Sequence, residues 1–211
     1  MDEEILISDL SKSFGKNVLF KNQDIRLMKH KTNLLVGKNG VGKTTIMSII
    51  SNVEKADKPF KGAPNKIIFF SEKVPYVENI SGESNIEFLL YTIGLKVNTS
   101  EIDEMAAFVG LDREAIKMPV YNYSMGMSEK LKLIIFLLID MDWLFLFDEP
   151  FSTLDIATLR KGIELVKNSG KTVLLCTHLE DIAKQVVNGY INVLEDKKID
   201  VIKDGDFIDK I

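Results

Sequence analysis

Gly37-Lys38-Asn39-Gly40-Val41-Gly42-Lys43-Thr44 follows the apolar run Asn33-Leu34-Leu35-Val36 and precedes Ile46, Ile49, Ile50 and Val53. The run before it reads as a short buried strand, and the four residues after it recur at the spacing of one helix face. Strand, glycine loop and helix in that order are the context in which G-x-x-x-x-G-K-[ST] grips phosphate. The chemistry requires these residue types. Phosphate oxygens carry dense negative charge, so backbone amides must turn inward, which glycine permits because it tolerates positive φ and leaves no side chain in the way. The helix N-terminus adds partial positive charge. Lys43 reaches the β- and γ-phosphates, and the Thr44 hydroxyl is suited to Mg²⁺.

Working outward, strands and helices alternate, which implies a mostly parallel sheet covered on both faces. Before the loop, Ile5-Leu6-Ile7, Val18-Leu19-Phe20 and the alternating Ile25 and Leu27 predict a small N-terminal antiparallel β region turning at Gly15-Lys16-Asn17. After it come a strand over Lys66 to Phe70, a helical pattern from Ser84 through Ile116, a helix from about Met127 to Ile139, and a buried strand Leu144 to Phe147. Ser152-Thr153-Leu154-Asp155 reads as a capping box for a helix with Ile156, Leu159, Ile163 and Val166 inward. Val173 to Cys176 is the next strand, and Tyr190 to Ile202 a hairpin around Glu195-Asp196-Lys197-Lys198. The expected architecture is therefore α/β. A core over 1–72 and 129–211 carries a helical subdomain inserted at about 73–128.

The strand Leu144 to Phe147 ends in Asp148-Glu149-Pro150. Strand ends of an open parallel sheet line the ligand crevice, so two acids there can face a nucleotide. Asp148 suits Mg²⁺ as a hard oxygen ligand. Glu149 is placed to orient or deprotonate water. Composition restricts the rest: 211 residues with 27 basic against 31 acidic side chains give a net charge of −4, so nucleic acid is not an expected partner. The acidic start Met1-Asp2-Glu3-Glu4 lacks the basic and apolar pattern of a signal. The greasiest stretch, Leu131 to Phe147, is broken by Lys132, Asp140 and Asp142, too early for a membrane span. A single cysteine, Cys176, reads as a small core residue of a reduced compartment.

Taken together, these motifs resemble the nucleotide-binding cassette of ABC proteins over nearly the whole chain. The resemblance identifies Tyr123-Ser124-Met125-Gly126-Met127 as a degenerate signature of LSGGQ type, keeping Ser124 and Gly126 while methionines replace a glycine and the glutamine. It assigns Asp155 to the D-loop, His178 to the switch histidine and Phe14 to the aromatic that stacks on adenine. Glu72 stands where the family usually has glutamine, and reads as a metal contact, a weakened metal contact or a surface acid. The implied nucleotide contacts are Phe14, Gly37, Lys38, Asn39, Gly40, Val41, Gly42, Lys43, Thr44, Thr45, Ser124, Gly126 and Asp155. The implied catalytic set is Glu149, His178 and Lys43, with Thr44, Glu72 and Asp148 for Mg²⁺.

The resemblance implies an ATPase that pairs head to tail with a second cassette, as homodimer or heterodimer, around ATP. With no spanning helix, its motion passes to separate membrane subunits, at the cytoplasmic face. A compact export-type ATPase is favoured over an importer. Two alternatives stand beside this: a soluble ABC-type mechanoenzyme of chromosome maintenance or translation, and a non-hydrolysing regulatory cassette. The first is disfavoured by the short interval from Lys43 to Ser124, which holds no heptads, and by the single cassette. The second is disfavoured by the presence of Lys43, Asp148, Glu149 and His178.

Overall fold

The computed structural model describes residues 3–71, 76–151, 153–178 and 180–203. The chain divides into two compact units, Met1–Glu72 with Asp142–Pro150 and Val166–Ile211, and Lys73–Met141 with Phe151–Leu165.

In the first unit, β1 (Glu4–Phe14) and β2 (Asn17–Met28) form an antiparallel hairpin sheet. The strands are longer than the sequence suggests, and their register shifts between Ile7 and Ser13, where polar residues interrupt the alternation. The second sheet has β3 (Thr32–Val36), β4 (Ile67–Phe70), β5 (Leu144–Asp148), β6 (Thr172–Cys176), β7 (Tyr190–Glu195) and β8 (Lys198–Lys203). Its order is β4-β5-β6-β3-β7-β8, and only the last pairing is antiparallel. Because β3, β5 and β6 are buried along their whole length, they are apolar runs rather than alternating ones. Asp196 and Lys197, with φ of 47° and 68°, make the tight turn between β7 and β8.

Helix α1 (Lys43–Ile50) directs Ile46, Met47, Ile49 and Ile50 into a core shared with Ile7, Phe20 and Leu27 of the hairpin and Leu35, Leu146 and Leu174 of the sheet. Val53, expected on the same apolar face, lies beyond the helix end and is exposed. Two fully buried asparagines join the hairpin to the sheet. Asn33 accepts from the backbone N–H of Met28 at 2.7 Å and of Tyr190 at 2.9 Å, and donates to the carbonyls of Met28, Lys31 and Val173. Asn192 accepts from the Arg26 N–H at 2.9 Å and donates to the carbonyls of Arg26 and Leu34. Both are thus satisfied, as buried amides must be.

The second unit is helical: α2 (Gly82–Thr92), α3 (Thr99–Val109), α4 (Arg113–Lys117), a 3-10 turn at Val120–Asn122, α5 (Met125–Leu138), and the first turns of α6 (Ile156–Asn168). Local sequence sets the ends. Ser81 caps α2, Asn98 and Glu101 form a reciprocal capping box on α3, and Gly110 closes α3 at φ 72°. The cap of α6 is Asp155, whose Oδ1 accepts from Thr158 N at 2.9 Å and whose Oδ2 accepts from the Thr158 hydroxyl at 2.7 Å. Ser152, the expected capping residue, lies outside the described residues. With the cap at Asp155, Ile156 becomes the first helical residue and is 71% exposed, so the expectation that it packs inward is corrected. Helix α7 (Glu180–Val186) belongs to the first unit.

Candidate functional site

The phosphate loop leaves β3 through Gly37, whose φ is 155° and whose Cβ, if present, would stand 2.4 Å from the carbonyl oxygen of Leu194. Only glycine fits. Gly42, at φ 116°, is the N-cap of α1 and caps it with no side chain, so the helix start is available to an anion. On the hairpin side, Leu19 and Phe20 lie 3.5 Å from where a Gly42 Cβ would be, setting β2 against the loop.

Lys43 is only 6% exposed, and its ammonium donates to the carbonyls of Gly37 at 2.8 Å and Lys38 at 3.1 Å. A buried cation held by two carbonyls, rather than by a carboxylate, still carries charge to offer an incoming anion. Lys38, Asn39 and Gly40 are exposed around it, Val41 and Thr45 half-buried, and Thr44 exposed.

Asp148 ends β5 with 7% exposure. Burial pushes its carboxyl up from the ordinary carboxylate range. The neighbouring Thr44 hydroxyl and Cys176 thiol pull it back, Glu149 raises it and Lys43 lowers it. Among the described residues its Oδ1 has no hydrogen-bond partner. An orphaned buried carboxylate oxygen beside a threonine hydroxyl is a donor set that fits a hard cation such as Mg²⁺.

Glu149 follows with φ 48°, a left-handed conformation that costs a non-glycine residue of order 1 kcal/mol and that its surroundings hold in place. Its N–H donates to the Cys176 carbonyl at 2.9 Å. Its Oε2 accepts from the His178 backbone N–H at 3.2 Å and lies 2.8 Å from His178 Nδ1. Lys43, Thr44, Asp148, Glu149 and His178 are therefore brought together at the carboxyl ends of β3, β5 and β6, within one unit. Glu72 lies outside the described residues.

Phe14 sits at the hairpin end, 53% exposed, with the Lys12 ammonium 4.8 Å from its ring centroid. Lys12 is itself held by Glu54 at 2.7 Å. An exposed aromatic bearing a cation on its ring is available for stacking. A cavity of about 610 Å³ also adjoins the loop, lined by Lys38, Asn39 and His178 together with Val193, Leu194 and Asp196. The contribution of β7 and its turn to this wall carries no motif, and only the β7–β3 pairing reveals it.

In the second unit Ser124 is the N-cap of α5, accepting from Met127 N at 3.2 Å. Gly126 is needed for space, since a Cβ would stand 3.1 Å from the Thr153 carbonyl oxygen. Ser124, Gly126, Met127, Lys130 and Asp155 line a cavity of about 400 Å³, with Met125 exposed at its edge. Lys130 donates to the Gly110 carbonyl at 2.8 Å and lies 3.9 Å from Asp155. Hydrogen bonds from Thr158 hold the Asp155 carboxyl below its usual range.

The family model described as ABC transporter matches residues 20–152. The chain is 32% identical to the lantibiotic transport ATP-binding protein SrtF of Streptococcus pyogenes, over 95% of this chain and 90% of that protein. It is 31% identical to the probable peptide export ATP-binding protein YydI of Bacillus subtilis, over 78% of each. A solved structure described as the ATP binding subunit of an ABC transporter superposes with a TM-score of 0.82 over 96% of this chain and 91% of its own, at 18% identity, which speaks for the fold alone.

Proposed function

The chain belongs to the ABC transporter family, and from that premise we propose that it is the ATP-hydrolysing subunit of a transporter, working on membrane subunits in separate chains. Among the described residues no helix is long and apolar enough to cross a membrane. The observation that carries the reading is the pairing of Glu149 with His178 beside a buried Lys43 and a buried, partly unbonded Asp148.

In this reading the triphosphate lies on the amides of the loop from Gly37 to Thr45, with adenine on Phe14. Lys43 places its ammonium between the β- and γ-phosphates. Thr44 and Asp148 would hold Mg²⁺, which supplies neutralisation of charge on the phosphate oxygens. Glu149 orients a water for attack on the γ-phosphorus and takes its proton as the bond to the β-γ bridging oxygen breaks. His178 steadies Glu149 through two contacts and thereby sets the direction of that base. Ser124 and the amides at the start of α5, with Asp155 at the rim of the same cavity, receive the γ-phosphate side of a nucleotide held by a second cassette, homologous or identical. ATP then joins the pair and its loss opens it.

The name of YydI, a probable peptide export ATP-binding protein, supports an export-type system with peptide cargo, and that of SrtF supports transport of a lantibiotic. The decisive test is Glu149→Gln. The variant is expected to bind ATP, accumulate as an ATP-bound dimer on size-exclusion chromatography, and lose hydrolysis by about 10²- to 10⁴-fold, the usual contribution of a general base. Turnover at the wild-type rate rejects Glu149 as the base.

A further inference from the structure

We infer that Lys12 is a positioning residue for the nucleotide base: its ammonium, anchored by Glu54 and the Lys55 carbonyl, sits against one face of the Phe14 ring and fixes the height and tilt of the other. The inference rests on the proposed stacking of adenine on Phe14 and goes beyond it in naming what holds that ring.

Lys12 and Phe14 stand two residues apart on β1, and the Lys12 Nζ lies 4.8 Å from the centroid of the Phe14 ring. That is inside the range of about 6 Å over which a cation is attracted to a ring face. The ammonium is fixed in place. It donates to Glu54 Oε1 and to the Lys55 carbonyl, each at 2.7 Å, and the Lys12 side chain is only 9% exposed. Phe14 is 53% exposed, so a ring with one face on a fixed cation still offers surface to a second flat group. Glu54 lies just past α1, and its N–H donates to the carbonyl of Ser48 in that helix at 3.0 Å. Contacts therefore run from the ring through Lys12 to the helix that opens at Lys43, which ties the platform for the base to the phosphate loop. Fastening the 54–61 segment to the hairpin does not need this lysine. Backbone bonds from Asp57 N to the Ser11 carbonyl, at 3.0 Å, and between Ser8 and Lys61, at 2.9 and 3.0 Å, already hold the segment to β1.

Calorimetry on the full-length protein, with magnesium present, separates the parts of the ligand by comparing ADP with inorganic pyrophosphate. Phe14→Ala is expected to weaken ADP binding about tenfold, within the usual worth of one stacked base. Lys12→Met, which keeps the stem and removes the charge, should weaken it about three- to fivefold, as loss of a cation from a ring face does. Lys12→Arg should restore most of that affinity. In the Phe14→Ala background, Lys12→Met should cost nothing further. Pyrophosphate has no base, so it should bind all of these proteins alike. Wild-type ADP affinity in Lys12→Met, a further loss beyond that of Phe14→Ala, or equal loss of ADP and pyrophosphate each overturns the inference. If Lys12→Met does not fold, Glu54→Lys removes the anchor at a partly exposed carboxylate. A loss confined to ADP then supports the inference, and wild-type ADP affinity overturns it. Wild-type ADP affinity in Phe14→Ala strikes the stacking reading, and the inference falls with it. Absence of any ADP uptake by the wild type strikes the ATPase reading as a whole.

Discussion

The two regions to which the proposed function assigns nucleotide are built to different standards. Around Lys43 the first unit buries Lys43 and Asp148, fixes Gly37 against a carbonyl, and carries Glu149 in a left-handed conformation with two contacts from His178 to its carboxylate. Around Ser124 the second unit offers one capped helix start, an exposed Met125 and a shallow cavity rimmed by Lys130 and Asp155. The difference implies a division of labour. In the function proposed above, strength of grip falls to the loop, whose groups are already in place, and the helix start at Ser124 is left the lesser task of meeting a partner's nucleotide.

This contrast can be broken at its strong side first. Lys43→Ala should lower hydrolysis by about 10²- to 10³-fold, as removal of one preorganised charge-stabilising donor does, and should abolish ATP uptake by the isolated cassette in calorimetry. Retained uptake would mean that the loop is not where strength resides. Gly37→Ala comes next. The 2.4 Å approach to Leu194 leaves no room, so the variant is expected to lose stability by about 3 kcal/mol or more in chemical denaturation. On the weaker side, Ser124→Ala should cost about 1 kcal/mol through its cap. It should leave ATP uptake by single cassettes intact while reducing dimer formation in the Glu149→Gln background. Equal loss of both would merge the two halves into one. The smallest effect belongs to Asp155. Its carboxyl lies below the usual range because the folded state bonds the ionised form, so its contribution is present above the unfolded value and disappears as pH falls through the folded one. Melting temperatures of wild type and Asp155→Ala should therefore differ near neutral pH and converge in acid.

Much of the loop half was readable in the sequence, because its demands are local. Glycines at the positions that require positive φ, a lysine and a threonine at a helix start, and apolar runs ending in acids are all contiguous patterns. Buried strands such as Leu144–Asp148 are legible for the same reason: both faces are covered, so nothing polar interrupts them. Other features depend on distant chain and were not legible. Asn33 and Asn192 look like ordinary polar residues until β2, β3, β6 and β7 meet around them. Ile156 has a core residue's chemistry, but the cap at Asp155 places it at the helix start, in solvent. In the sequence Lys132 only interrupts a greasy run; in the fold it is buried within α5 and held by Glu129 at 2.5 Å.

The position of β3 has a consequence for biogenesis. Its two neighbours in the sheet are β6 and β7, and the Asn33 side chain accepts from Tyr190, 157 residues further along. A ribosome thus releases the loop from Gly37 to Thr44 early, yet the strand that supports it stays without lateral support until most of the polypeptide has followed. Sequence-distant pairing of this kind slows maturation and prolongs exposure of apolar edges. In the proposed function, nascent chains should therefore become competent for nucleotide only late in synthesis.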